Sequence, residues 1–321
     1  MRTWMLAAII LCKLVALDGA DRRAVILDRA AKLSEFPGQS IPQLTPELKR
    51  QAEEIVKGTI FFYDRTPIQV GLKNIDWSGS QLHHQEWPAQ LNRFQYLNAL
   101  ASAYKATGQE RFAQAARAYI QDWLLGSNSA TGVTLHTHDS TLNMSIRLGS
   151  SMHSGWGGTL PAFLGSPAFD DKFLDKVFAS MSSQANFLAH HLTPEGNWRI
   201  SELDALVFTA LRFPFLENAP KIFEAGVTGM HNALATQFTA DGVHIERSPS
   251  YASWMTSVLA NYYQAERVFP EVKTRVDAGQ VVRALDYAAQ SELFGVNDSI
   301  APHRDPVTPR GWNSARRCCG D

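Results

Sequence analysis

Apolar residues recur at helical spacing along most of the chain, which predicts a fold built almost entirely from α-helices. One apolar stripe runs from Leu91 through Phe94 to Tyr104 and predicts a single helix that ends at Gly108. The next stripe ends at Gly126, and a short connection between two such helices forms an antiparallel hairpin. Later helical patterns cover residues 142–152, 173–188, 199–212, 219–237, 251–268 and about 272–291. Successive hairpins without a fixed repeat period favour a bundle or an α/α toroid over an ordinary solenoid.

A polar loop between two of the helical patterns carries the densest group of titratable side chains. An Asp-Gly pair and a Ser-Pro pair break the helical pattern over residues 241–251. This loop contains His244, Glu246, Arg247 and Tyr251 within eight positions, and a helix is expected to start around Tyr251. Such a group suits proton transfer or the binding of a charged ligand. The alternative is a solvated loop anchored by one tyrosine.

Composition and charge narrow the classes of function. Lys and Arg total 30 against 31 Asp and Glu, a net charge of −1, so no global basic field favours nucleic acid. An acidic ligand would therefore need a local cluster of Arg and Lys. Eight tryptophans are enough for a core and a sugar-stacking surface. Three cysteines give neither a disulfide framework nor a metal-ligand spacing, and we expect no metal and no cofactor.

The sequence divides into three segments. Residues 1–20 have the pattern of a secretory signal, with Arg2 before an apolar run, and predict a secreted or periplasmic protein. The alternative for this segment is a short amphipathic helix. Residues 21–293 form one helical domain, in which only residues 59–77 have a convincing extended pattern. Residues 294–321 are an irregular tail. No stretch after the signal is long and apolar enough to span a bilayer, so we expect no membrane association once the signal is removed.

Three short stretches form a more specific combination than any one of them alone. They are Glu86-Trp87 with Leu91-Asn92-Arg93, then Gly196-Asn197-Trp198, then Asp241-Gly242 with His244, Glu246 and Ser248-Pro249-Ser250-Tyr251. In order and spacing they resemble the heparinase II/III-type polysaccharide lyases, over about residues 75–265. The resemblance implies an α/α toroid that normally precedes a β-sandwich domain. It also implies β-elimination of uronic-acid-containing polysaccharides such as heparan sulfate or alginate.

Two departures from the family pattern change what we expect. Many members have His directly after the Asn of the second stretch, whereas this chain has Trp198. The chain also ends before a β-sandwich could form, and its Arg310–Asp321 tail has the character of a truncated terminus. We therefore expect an all-α fold, an incomplete α/α toroid of antiparallel hairpins without the usual C-terminal β-sandwich. We also expect a chain built for lyase chemistry whose activity, as truncated, stays open.

The chemistry of β-elimination assigns roles to three polar residues. The C5 proton of a uronate is hard to remove beside a charged carboxylate, so an amide or guanidinium must first neutralise that charge. A base then takes the proton, and an acid protonates the leaving C4 oxygen. Asn197 fits the neutralising role and Tyr251 the acid and base roles, which the resemblance also implies, while His244 is an alternative base. The structural alternatives are a helix cap for Asn197 and a buried anchor for Tyr251.

Seven further side chains complete the predicted substrate surface: Trp87, Asn92, Arg93, Arg147, Trp198, Glu246 and Arg247. We expect the indole of Trp87 to stack on a sugar. We expect Arg93 and Arg147 to face carboxylates or sulfates, because Arg binds such anions in a bidentate manner. The alternatives are core packing for Trp87, surface positions for the arginines, and an ion pair between Glu246 and Arg247.

Two other functions stay open beside the lyase. A glycoside hydrolase on an α/α toroid would need two carboxylates flanking the bond. Glu202 with Glu246 or Asp241 could be nominated, although no such pair has a matching motif. We instead expect Glu202 to hold the loop before Asn197 through hydrogen bonds. A helical domain that binds acidic glycans without turnover is the third possibility. In each case the expected partner is an acidic polysaccharide, and the oligomeric state stays open.

Overall fold

The computed structural model describes residues 17–126 and 140–293, so most of the predicted signal (1–20) and the whole tail (294–321) lie outside the described residues. Within the described ranges no helix is long and apolar enough to cross a membrane. The described residues form twelve α-helices and one β-hairpin. These elements are α1 (Gly19–Leu33), α2 (Pro46–Val56), β1 (Thr59–Phe62), β2 (Thr66–Gln69), α3 (Trp87–Arg93), α4 (Leu97–Thr107), α5 (Glu110–Gly126), α6 (Thr141–Leu148), α7 (Gly155–Phe163), α8 (Asp171–His190), α9 (Gly196–Arg212), α10 (Ala219–Thr236), α11 (Pro249–Val268) and α12 (Ala278–Leu293).

Local sequence fixes where several helices begin and end. Asp18 accepts a hydrogen bond from a backbone N–H of the first turn at 2.9 Å and caps α1, so the predicted boundary after residue 20 falls inside a helix. Thr45 caps α2 in the same way, with Pro46 at the first helical position. Gly108 has φ 66° and ends α4 where the sequence predicts.

The single helix predicted over residues 91–104 is broken at Phe94, whose backbone has φ 60°. The Phe94 ring is fully buried, stacks on Trp77 at a centroid distance of 5.4 Å, and meets Trp123 and Trp156 edge-on. A left-handed backbone costs about 1–2 kcal/mol for a residue with a Cβ, and burial of a Phe side chain contributes about 1.5–3 kcal/mol. The free energy gained by burying the Phe94 ring therefore offsets the cost of its left-handed backbone.

The predicted extended segment, residues 59–77, forms a hairpin that is shorter than expected. Strands β1 and β2 pair antiparallel and make a two-stranded sheet. Beyond β2 the backbone bonds to a side chain instead of a strand, because the carboxylate of Asp122 accepts from the N–H of Asn74 at 2.6 Å and of Ile75 at 3.0 Å. In the part of the chain that the structure describes, this is the only sheet.

Helix α9 lies at the centre of the described fold, packed against α6, α8, α10 and α11. Of its 17 residues, only Trp198 and Arg199 are not buried, and both lie in its first turn. The buried length of α9 fixes the helix in the core. Its N-terminus therefore presents residues to the surface from a rigid support.

A buried polar network links α9 to its neighbours. The carboxylate of Asp204, in the middle of α9, accepts from the N–H of Ser151 at 3.0 Å and from its hydroxyl at 2.8 Å. Asn261 of α11 donates to the same hydroxyl oxygen at 3.1 Å. Burial raises the pKa of Asp204 to about 7, against the opposing effect of the hydrogen bonds from Ser151. The network holds α9, α11 and the turn after α6 together.

Candidate active site

Asn197, the second residue of α9, is held by the carboxylate of Glu246. Its backbone N–H donates to Glu246 Oε1 at 2.6 Å, and its amide Nδ2 donates to Oε1 at 2.9 Å and to Oε2 at 2.8 Å. The N-cap of α9 is Glu195, which makes no side-chain cap bond, so Asn197 is not a helix cap. A helix N-terminus carries partial positive charge, so an anion is favoured here. We call these N–H donors of Asn197 the carboxylate site.

Gly196 makes room for this carboxylate. It has φ 84°, and a Cβ at this position would lie 2.5 Å from Glu246 Oε1. Its N–H donates to the side-chain oxygen of Gln237 at 3.1 Å, which fixes the turn into α9. Only glycine therefore satisfies both the backbone conformation and the close approach of the anion.

His244, the predicted alternative base, lies inside the protein and cannot reach a substrate, so that prediction is wrong. Its Nε2 lies 3.2 Å from Gln237 Oε1, and its Nδ1 accepts from the N–H of Glu246 at 3.5 Å. With its proton on Nε2, the ring donates to Gln237 and accepts from Glu246. Burial lowers the pKa of His244, and the nearby charge of Glu246 opposes the shift. The imidazole supports the loop that carries Glu246.

Tyr251 and Trp198 are the aromatic side chains of the site that reach solvent. Tyr251 lies in the first turn of α11 and is 42 % exposed, so it is not a buried anchor. Trp198, next to Asn197, is 43 % exposed. Both rings are accessible to a ligand that approaches the start of α9 and the start of α11.

The motifs do not identify His153, which the fold brings close to α11. Its ring lies edge-on to Trp254 at a centroid distance of 5.5 Å, and Trp254 in turn lies 6.2 Å from Tyr251. His153 is half-buried in the turn after α6, close to Ser151 of the Asp204 network. No local pattern could have found it, because it meets α11 only through the tertiary fold.

Glu202 holds the loop before α9, as the sequence predicts. Its two carboxylate oxygens accept from the N–H of Thr193 at 2.7 Å and from the Thr193 hydroxyl at 2.6 Å. Glu202 is fully buried, so it cannot flank a glycosidic bond. This position removes one of the carboxylates nominated for a hydrolase.

Two predicted substrate-binding residues, Trp87 and Asn92, are buried in the core instead. The Trp87 indole N–H donates to Gln81 Oε1 at 3.1 Å, and the ring has no face open to a sugar. The Asn92 amide donates to the carbonyl of Trp77 at 2.9 Å and accepts from the indole N–H of Trp123 at 2.9 Å. Both side chains organise the aromatic core around α3.

The two predicted anion-binding arginines differ in their positions. Arg147 is fully buried, and its guanidinium donates to Gln184 Oε1 at 2.8 Å and to the carbonyl of Asn92 at 2.9 Å. It therefore joins helices and does not face a substrate, which corrects the prediction. Arg93 is partly buried and donates to Asn143 Oδ1 at 2.9 Å. Its contact with a substrate stays a prediction.

The remaining predicted contacts lie at the surface. Arg247 is exposed and has φ 51°, and Glu246 is exposed with its carboxylate bound to Asn197. The roles of Trp198 and Arg247 toward a substrate stay predictions. Among the residues that the structure describes, no group of three or more His, Cys, Asp or Glu side chains is placed to hold a metal ion.

The described residues form a helical fold whose central helix, α9, begins at Gly196 and Asn197. The sequence profile of the family Heparinase II/III N-terminus matches residues 39–281, and the chain belongs to this family. A heparin-sulfate lyase from Pedobacter heparinus is 28% identical over 241 residues, which cover 75% of this chain and 35% of that protein. A heparin-sulfate lyase from Bacteroides thetaiotaomicron is 26% identical over 184 residues, which cover 57% of this chain and 25% of that protein.

Solved structures support the fold. The crystal structure of heparan sulfate lyase HepC from Pedobacter heparinus matches with a TM-score of 0.64 at 22% identity, covering 85% of this chain and 43% of that chain. The predicted incomplete α/α toroid is confirmed, and the described residues contain no β-sandwich. This chain spans less than half the length of these relatives.

Proposed function

We propose that this chain binds a uronic-acid-containing glycosaminoglycan and cleaves it by β-elimination. The observation that carries the proposal is the carboxylate site. Three N–H contacts of Asn197 hold a carboxylate at 2.6–2.9 Å at the N-terminus of a buried helix. A substrate carboxylate held in the same way would lose much of its effective charge. The C5 proton beside it would then become easier to remove.

Tyr251 is the residue we assign to proton transfer. Its phenol is accessible, and the loop that carries Glu246 leads directly into the first turn of α11, where Tyr251 lies. The dipole at a helix N-terminus favours negative charge during transfer. Tyr251 would take the C5 proton and return a proton to the leaving C4 oxygen. In the alternative, another group takes the C5 proton and Tyr251 only protonates the C4 oxygen.

The substrate class follows from the relatives and from the surface of the site. The relatives described above are named heparin-sulfate lyases, which favours a heparan-type glycosaminoglycan over alginate. Trp198 offers an accessible indole for stacking on a sugar ring next to the carboxylate site. Because the N-terminal pattern is that of a secretory signal, we also propose that the protein acts outside the cytoplasm.

Ultraviolet absorbance of the C4–C5 double bond tests the proposal. The chain is incubated with heparan sulfate, hyaluronan and alginate, beside Asn197→Ala and Tyr251→Phe variants whose folding is checked by circular dichroism. We expect absorbance to rise with heparan sulfate and to be lost in both variants. Equal rates in Asn197→Ala and the parent chain would contradict the assigned role. Glycan binding without any rise would favour a binding domain without turnover.

A further inference from the structure

We propose that Glu246 is an internal competitor, which occupies the carboxylate site in the free protein and leaves when a uronate binds. This inference rests on the proposed function, because it takes the N–H donors of Asn197 as the place where the substrate carboxylate is held. It concerns a step that comes before the chemistry, namely how this site becomes available.

The contacts show that the site is already filled by a group of the same chemistry as the substrate. Both oxygens of Glu246 accept from Nδ2 of Asn197, and one of them also accepts from the backbone N–H. The side-chain N–H groups of Asn197 are therefore committed. A second carboxylate cannot use these donors until Glu246 withdraws.

The surroundings of Glu246 allow that withdrawal. Glu246 is exposed, so its carboxylate can turn into water without opening the core. The donors on the other side are rigid, because Asn197 lies on the buried helix α9 and Gly196 is fixed by Gln237 at 3.1 Å. The mobile partner of the pair is therefore the acid and not the amide.

Exchange of one carboxylate for another replaces the same hydrogen bonds, so the contacts at this site alone give little net gain. An internal group competes with an effective concentration on the order of millimolar. A small monocarboxylate with no other contacts would lose this competition. A uronate within a polymer, which also contacts surfaces such as Trp198, would win it. Glu246 therefore acts as a filter that favours polymeric uronates over small free acids.

Removal of the charge at Glu246 tests this role. Binding of a glucuronate-containing heparan sulfate hexasaccharide is measured by calorimetry for the parent chain, Glu246→Gln and Glu246→Asp. A neutral amide binds these donors about half as strongly as a carboxylate does, and the Asp carboxylate is one methylene too short to reach them. We expect Kd to fall about fivefold to tenfold in both variants, and free glucuronate to gain measurable binding.

Glu195→Gln is the matched control, because Glu195 precedes Gly196 and makes no side-chain cap bond. It removes the same charge beside the start of α9, so any general electrostatic gain appears in it too. A gain in affinity that occurs only in the Glu246 variants supports the role of Glu246 as a competitor. Unchanged or weaker binding in folded Glu246→Gln overturns it and indicates that Glu246 positions Asn197 instead.

The test of Glu246 as a competitor can fail or succeed independently of the test of the lyase activity. If no uronate acquires a double bond but Glu246→Gln binds glucuronate more tightly, the lyase proposal fails and the competitor stands. If the chain is an active lyase and Glu246→Gln has unchanged KM and kcat, only the competitor fails. Thermal unfolding of each variant verifies that the fold is kept.

Discussion

Asp204 accepts two hydrogen bonds from Ser151, one from the backbone N–H at 3.0 Å and one from the hydroxyl at 2.8 Å. Asp204 lies about two turns after Asn197 in α9. Asn261 in α11 donates to the same Ser151 hydroxyl at 3.1 Å. One buried carboxyl thus helps to set the relation between the helix that carries Asn197 and the helix that carries Tyr251. Because burial raises the pKa of that carboxyl to about 7, we expect the relation between these two helices to depend on pH.

Asp204→Asn should flatten the pH dependence of stability. The raised pKa means that the folded chain binds this proton more tightly than the unfolded chain does. The free energy of unfolding therefore falls as pH rises from about 4 to about 7, by up to ~1.4 kcal/mol per pH unit. Asn cannot ionise and can still accept from Ser151, so this contribution is absent in the variant. Urea unfolding across that range measures the difference between the two proteins.

The control for this measurement is Asp286→Asn, which makes the same charge change at an exposed position of α12. It reports the general effect of net charge on the unfolding curve. An Asp204→Asn curve parallel to that of the parent chain would show that Asp204 is not held protonated by the fold.

Gly196→Ala should abolish substrate binding and should also lower the free energy of unfolding. The variant must place a Cβ 2.5 Å from the bound carboxylate oxygen while keeping φ 84°. Gly108→Ala is the matched control, since Gly108 has φ 66° but nothing within 4 Å of a Cβ. We expect the control to lose about 1–2 kcal/mol of unfolding free energy with normal binding. If Gly196→Ala binds the hexasaccharide normally, the carboxylate site is wrongly placed.

Trp198→Ala should weaken glycan binding, whereas Trp87→Ala should destabilise the fold. Trp198 is 43 % exposed, whereas Trp87 is fully buried. Trp198→Ala should keep the melting temperature and weaken glycan binding about fivefold to tenfold through lost stacking. Trp87→Ala should lower the free energy of unfolding by about 3–5 kcal/mol. Calorimetric binding and urea unfolding of both variants test this, and normal binding by folded Trp198→Ala would exclude the stacking role.

Variants of Glu202 test whether this residue supports the loop before α9 or acts as a catalytic acid. Glu202→Ala leaves the N–H and hydroxyl of Thr193 without their acceptor and should cost about 1–3 kcal/mol of unfolding free energy. Glu202→Gln keeps one acceptor oxygen, so we expect a smaller loss and substantial remaining activity. A stable Glu202→Gln protein whose activity is abolished would instead favour a hydrolase that uses this carboxyl.

Local signals in the sequence predict much of this fold. Apolar stripes place most of the long helices, and Gly108 ends α4 where the pattern stops. The Ser-Pro break places the start of α11 just before Tyr251. These features depend on helical periodicity and on backbone preferences of Gly and Pro, which act within a few residues.

Features set by tertiary packing could not be predicted from local sequence. Arg147 lies in a helix that looks amphipathic, and only its contact with Gln184 shows that its charge points inward. The break at Phe94 depends on aromatic rings that are distant in sequence. Helix α7 contains three glycines and Pro161, so intrinsic propensity argues against it although packing forms it. His153 reaches α11 for the same non-local reason.

The most direct test of β-elimination at Asn197 and Tyr251 is to digest heparan sulfate in water enriched in heavy oxygen and analyse the products by mass spectrometry. Elimination breaks the bond without adding water. The proposed mechanism predicts products with a C4–C5 double bond and no heavy oxygen, formed by the parent chain and not by Asn197→Ala or Tyr251→Phe. Saturated products that carry one heavy oxygen would mean hydrolysis and would contradict the mechanism.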